Sequence, residues 1–84
     1  MRDVQPSYPA SAREDGAEGQ VTVGYQISEE GRVDQVRITR SSGDSRLDSA
    51  AVQAAERLRY EPELQEGRAI RSRARRTFLF KLGE

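Results

Sequence analysis

Val21-Thr22-Val23-Gly24-Tyr25-Gln26-Ile27 constrains this chain more than any other stretch, because its apolar residues recur at every second position. A period of two is the pattern of a β-strand with one buried and one wet face. The residues that follow supply its first neighbour. Ser28 to Arg32 holds Gly31 where a hairpin loop needs a positive φ. Val33 to Arg40 reads as the return strand, with Val36 and Ile38 expected to face inward. Val33 is out of phase with those two, which predicts a bulge beside the turn.

Helical signals flank the hairpin. Residues 1–7 are polar and contain Pro6, so they read as an extended arm, and residues 8–84 read as one domain. Ser7-Tyr8-Pro9-Ala10 opens a short helix, since proline suits a first helical turn, and Gly16 stops it. Ser45-Arg46-Leu47-Asp48 resembles a capping box with Asp in the usual Glu/Gln place. The helix behind it is expected to run to about Arg59 with Leu47, Ala51, Ala54, Ala55 and Leu58 as its apolar stripe. Pro62 is its expected stop. Leu64 to Gly67 reads as a loop. Ile70 to Leu82 reads as a long last strand with Phe78, Phe80 and Leu82 on one face.

A hairpin sets the first two strands antiparallel, and a helical crossover returns the third parallel to the second. The third strand can then lie beside the second or on the far side of the first. Charge decides between them. The first strand has no charged residue from Val21 to Ser28, whereas the second has Asp34, Arg37 and Arg40 and the third has Arg71, Arg73, Arg75, Arg76 and Lys81. Natural sheets put charges on edge strands. The expected fold is therefore α+β, a mixed three-stranded sheet in the order 2-1-3 with both helices on one face. The third strand keeps an open edge.

Composition excludes several chemistries. The 84 residues suffice for one small domain, which buries only about 60% of its unfolded surface. Fourteen basic and fourteen acidic residues balance, without the basic excess usual in nucleic-acid binders. There is no histidine or cysteine, hence no disulfide, no thiolate nucleophile and no zinc site of the usual kind. No apolar run approaches the ~20 residues of a membrane span, and no signal peptide is visible. Glu14/Asp15 and Glu29/Glu30 are adjacent loop carboxylates that do not converge on a substrate. The chain is expected to be no enzyme and to use no cofactor.

Four segments, in order and with matching spacing, resemble the TonB C-terminal domain family: Gln5-Pro6-Ser7-Tyr8-Pro9, Glu18-Gly19-Gln20-Val21-Thr22-Val23, Gly31-Arg32-Val33 with Val36, and Arg59-Tyr60-Glu61-Pro62. The resemblance spans about residues 5 to 82. It departs at Leu58, where the family often has tryptophan, and in the arginine density of the last strand. It implies the periplasmic domain of an inner-membrane-anchored energy transducer, with anchor and proline-rich linker outside these residues. Its implied partners are proton-driven motor proteins at the inner membrane and a TonB-dependent outer-membrane transporter, whose TonB box adds as a strand to the last strand of the sheet. Rival readings are a TolA-like envelope scaffold and a small nucleic-acid-binding domain.

The candidate partner-binding residues are Arg71, Ser72, Arg73, Ala74, Arg75, Arg76, Thr77 and Phe78 on the third strand, with Gln5, Pro6 and Tyr8 near one end. The arginines equally suit a solvated edge that blocks aggregation, or a β-augmentation site that favours an acidic peptide. No aromatic residue interleaves them as a nucleic-acid stacking platform requires. Gln5, Pro6, Tyr8 and Pro9 can serve as a structural staple, as a contact for the bound segment, or as both. Tyr60 and Pro62 read as structural. Swapping of the last strand is a low-cost route to a homodimer.

Overall fold

The computed structural model describes residues 5–83 and orders them as α1 (Ala10–Glu14), β1 (Gly19–Ile27), β2 (Val33–Arg40), α2 (Ser45–Glu56), β3 (Glu63–Gln65), β4 (Arg68–Ile70) and β5 (Ser72–Phe80). Met1 to Val4 of the expected arm, and Glu84, lie outside the described residues. The uncharged strand takes the centre: the main sheet has the order β2-β1-β5. Both neighbours of β1 are antiparallel to it. β5 does run parallel to β2, as the crossover rule requires, but the two never touch. The sheet is therefore purely antiparallel and not mixed.

Val21, Val23, Tyr25 and Ile27 are all buried, so the alternation in the sequence is the alternation of faces. They form one core with Phe78 and Phe80 of β5, the alanines of α2, and Ala12 of α1. Ala51, Ala54 and Ala55 have no exposed surface. Small side chains let the helix lie close to the sheet, which a close-packed interior rewards. Leu58 is also fully buried, so leucine fills the place where the family often has tryptophan.

Local differences from the sequence reading have physical causes. α2 ends at Glu56 rather than Arg59. The chain leaves the helix because Tyr60 N–H donates to the Gly31 carbonyl at 2.9 Å and Arg59 bridges to Arg32, pulling the segment onto the hairpin turn before Pro62 is reached. The N-cap is Asp44, not Ser45: its carboxylate accepts from the Arg46 N–H at 2.9 Å. Asp48 instead reaches back to the loop, accepting from the Ser42 N–H at 3.0 Å and the Ser42 hydroxyl at 2.7 Å. Pro9 is the N-cap of α1, just ahead of its first residue.

The expected last strand is divided. Ile70 belongs to a separate hairpin, β3 with β4, and Leu64 and Gln65 are paired strand residues and not loop. Glu66 and Gly67 both have positive φ, 53° and 79°, the conformation of a two-residue hairpin turn. β5 begins only at Ser72 and ends at Phe80. On β2 the predicted bulge is present: pairing slips between Gly24 and Gln26, where Gln35 has φ 51°. Val36 is half-buried as expected, but Ile38 stays 40% exposed, since β2 is an edge strand.

Candidate functional site

Two edges of the sheet are open, and they differ. The pairing of β2 with β1 slips twice, and such bulges bend a strand and break the even spacing of its backbone groups. β5 pairs with β1 in unbroken register over its whole length, from Gly19 against Phe80 to Ile27 against Ser72. Its other side meets no strand among the described residues. A regular strand with one side unpaired presents alternate N–H and C=O groups at even spacing.

Side-chain directions along β5 follow from its partners. Phe78 opposes Val21 and Ala74 opposes Tyr25, so even-numbered positions face the helices. Phe78 is buried; Ser72, Ala74 and Arg76 are half-buried. The Arg76 guanidinium lies 5.6 Å from the centre of the Phe78 ring. Arg73, Arg75 and Thr77 oppose Gln26, Gly24 and Thr22 and face the open side of the sheet. The Thr77 hydroxyl bonds that of Thr22 at 2.8 Å.

Arg71 precedes β5 and turns inward across the sheet. Its guanidinium donates to Gln26 Oε1 at 2.8 Å and to Asp34 Oδ1 at 2.9 Å, joining a β1 and a β2 side chain. Hydrogen bonding to Asp34 pushes its already high pKa further up. The three alternating arginines thus divide: Arg73 and Arg75 have no carboxylate partner among the described residues, and Arg71 does.

The N-terminal segment runs from α2 towards the Phe80 end of β5. The Arg57 guanidinium donates to the Gln5 carbonyl at 3.3 Å. The Tyr8 ring meets Phe80 edge-on at 5.4 Å, its hydroxyl donates to the Ala17 carbonyl, and Arg13 lies 4.9 Å from the ring centre. Burial, then the nearby Glu18 carboxylate, push the Tyr8 pKa up. Tyr8 therefore staples the segment down, while Gln5 and Ser7 stay exposed and Pro6 half-exposed. Tyr60 is structural as expected: its hydroxyl bonds that of buried Tyr25.

Sequence reasoning passed over Gly24 and Arg37. Arg37 and Arg75 both oppose Gly24, one from each side of β1. A glycine inside an otherwise strong strand pattern was the available signal, since it marks close approach of another group. Among the described residues no three side chains of metal-binding type gather, and no helix is long and apolar enough to cross a membrane.

Known proteins match this arrangement along its length. The family described as Gram-negative bacterial TonB protein C-terminal matches residues 4–82. Protein TonB of Pseudomonas aeruginosa is 32% identical over 82 residues, covering 98% of this chain and 24% of that protein. Protein TonB of Haemophilus ducreyi is 43% identical over 56 residues, covering 67% of this chain and 20% of that protein. The chain thus spans a quarter or less of either relative. The solution NMR structure of the P. aeruginosa TonB CTD is similar with a TM-score of 0.84 at 31% identity, covering 100% of this chain and 85% of that one. The Helicobacter pylori TonB-CTD gives 0.76 at 27% identity, covering 94% and 71%.

Proposed function

The chain belongs to the TonB C-terminal domain family, and on that footing we propose that it is the periplasmic, force-transmitting domain of an energy transducer, which takes up an extended segment of an outer-membrane transporter as a fourth strand along β5. The membrane anchor and the contact with proton-driven motor proteins then belong to sequence outside these 84 residues. The domain itself performs no chemistry.

The unbroken outer edge of β5 carries this reading. Strand addition draws affinity from main-chain hydrogen bonds and selectivity from alternate side chains. The slips in β2 spoil the other edge for the same purpose. Arg73 and Arg75 favour a mildly acidic segment, and Tyr8 packs edge-on against Phe80 at that end of β5, with Gln5 and Pro6 just before it in the chain. The fold also suits the load. Force applied along an added strand shears a ladder anchored to β1, the most buried strand of the sheet.

The test is an NMR titration of the 15N-labelled domain with a short, extended, mildly acidic apolar peptide. Shifts should run along Ser72–Phe80 and appear at Gln5 to Tyr8. Proline substitutions at the neighbours Arg75 and Arg76 sharpen the test, because adjacent N–H groups on a strand point to opposite sides. One proline removes an outward donor and should nearly abolish binding while the fold survives; the other breaks the ladder to β1. Arg73 and Thr77 share one parity, so comparing those two would not separate the edges. Shifts confined to α2 or to the β1–β2 turn would overturn the mechanism.

A further inference from the structure

The face of the sheet away from the helices concentrates positive charge in a chain whose charges balance overall. Three cross-strand rows define it: Arg40–Thr22–Thr77, Arg37–Gly24–Arg75 and Asp34–Gln26–Arg73. Its one carboxylate in these rows, Asp34, is taken by Arg71. Among the described residues, Arg37, Arg40, Arg73 and Arg75 have no ion-pair partner.

The middle row is built around an absence. Gly24 is buried although it sits on the wet face of β1. A Cβ there would meet Thr39 Cγ2 at 3.3 Å, Arg75 Cγ at 3.8 Å and the guanidinium carbon of Arg37 at 3.9 Å. The Arg37 guanidinium and the Arg75 stem, from opposite edge strands, therefore flank one bare stretch of backbone. Beside them opens a shallow cavity of about 300 Å³, whose lining includes Arg37, Arg73 and Arg75 together with Gly24, Tyr25, Thr39 and Ala74. A side chain at Gly24 would press on Thr39 and rest in ordinary contact with both arginines, so the bare backbone leaves the floor of the cleft open.

We propose that this cleft is a phosphate-binding site, which takes a phosphomonoester or diphosphate group between Arg37 and Arg75, with Arg73 at its rim. The Arg37 guanidinium lies over Gly24 and the Arg75 stem lies beside it, so an arginine from each flanking strand can offer its fork to a separate oxygen of a tetrahedral dianion. A carboxylate has two oxygens and one charge, so one arginine consumes it and the second remains unpaired. The cleft shares Arg73 and Arg75 with β5, and Arg37, on β2 at the far side of β1, distinguishes it from the peptide-binding edge.

The experiment adds inorganic phosphate, inorganic pyrophosphate and, as the monoanion control, acetate to the 15N-labelled domain at pH 7.5 and matched ionic strength. A phosphomonoester is then mostly dianionic, its second pKa being about 6. Saturable shifts are expected at Gly24, Thr39 and the side-chain Nε–H of Arg37 and Arg75, stronger for pyrophosphate and absent with acetate. Arg37→Gln should weaken pyrophosphate binding about ten-fold, the loss expected with one of two charge-assisted contacts, and should leave peptide shifts on β5 unchanged. Arg68→Gln, on the separate hairpin, should alter neither. The spectra themselves report whether each variant is folded. Phosphatidylcholine vesicles with and without phosphatidic acid then separate the sources. Capture by the acidic vesicles, reversed by pyrophosphate, assigns a lipid headgroup, and shifts with soluble phosphate alone assign a free ester. Equal response to acetate, or equal weakening by Arg37→Gln and Arg68→Gln, would overturn the site.

Discussion

Gly31 and Tyr60 are locked together: the Gly31 carbonyl accepts the Tyr60 N–H at 2.9 Å, and the Tyr60 carbonyl occupies the space a side chain on Gly31 would need. Gly31 also has φ +84°, a conformation that residues with a Cβ rarely adopt. The tip of the β1–β2 hairpin is thereby fastened to the segment leaving α2. Gly31→Ala meets both obstacles at once and should cost about 1–3 kcal/mol. Thermal unfolding followed by circular dichroism should show the midpoint falling by roughly 4–8 °C per kcal/mol. An unchanged midpoint would mean that the turn and Tyr60 separate readily.

Ala54 is fully buried between α2 and the sheet. Ala54→Leu should destabilise the domain by about 1–3 kcal/mol through overpacking. The same scan measures it, and a raised midpoint would show unfilled space beneath the helix.

Tyr25 and Tyr60 share a hydrogen bond between their hydroxyls, and Tyr25 is buried. Removing either hydroxyl leaves the other wanting a partner, which costs about 1–3 kcal/mol where the group is buried. The double variant Tyr25→Phe/Tyr60→Phe leaves neither. It should therefore be less destabilised than the two single variants added together, by an interaction of at least about 0.5 kcal/mol. Urea denaturation of all four proteins closes the cycle, and strict additivity would count against the coupling.

Acid should loosen the α2 N-terminus first. The hydrogen bond from the Arg46 side chain is the main reason the Asp44 carboxyl is held at about 2, below its ordinary 3.8. Burial pushes Asp48 up, but hydrogen bonds from Ser41 and Ser42 outweigh it and hold it below its ordinary value. Both carboxylates bind protons more weakly in the folded state. Their contribution is therefore whole above about pH 3.8 and is lost as pH falls towards 2. Denaturation midpoints measured from pH 6 to pH 2 should drop in that window, and Asp44→Ala should flatten the drop. An unaltered slope in the variant would place the acid sensitivity elsewhere.

Charge on β5 should tune peptide binding without making it. Exposed ion pairs contribute little, so Arg73→Glu should weaken an acidic peptide only about two- to five-fold and reduce its salt dependence. Titrations at two salt concentrations check both effects. Complete loss would mean that side chains, and not the backbone ladder, hold the peptide.

The period of two in Val21 to Ile27, the uncharged centre and the charged flanks determined the core face and the strand order, because alternation and charge placement depend on each residue's own chemistry. The alanine stripe likewise marked the buried face of α2. Contacts between segments distant in sequence decided the rest. The hold of Gly31 on Tyr60 ends α2 six residues before Pro62. The reach of Arg71 takes up the Asp34 carboxylate, and Arg73 and Arg75 have no carboxylate partner among the described residues. The convergence of Arg37 and Arg75 over Gly24 needed three strands side by side before it existed. Local pattern records which face of a strand is wet, whereas which groups meet on that face depends on register, and register emerges only when the strands pair.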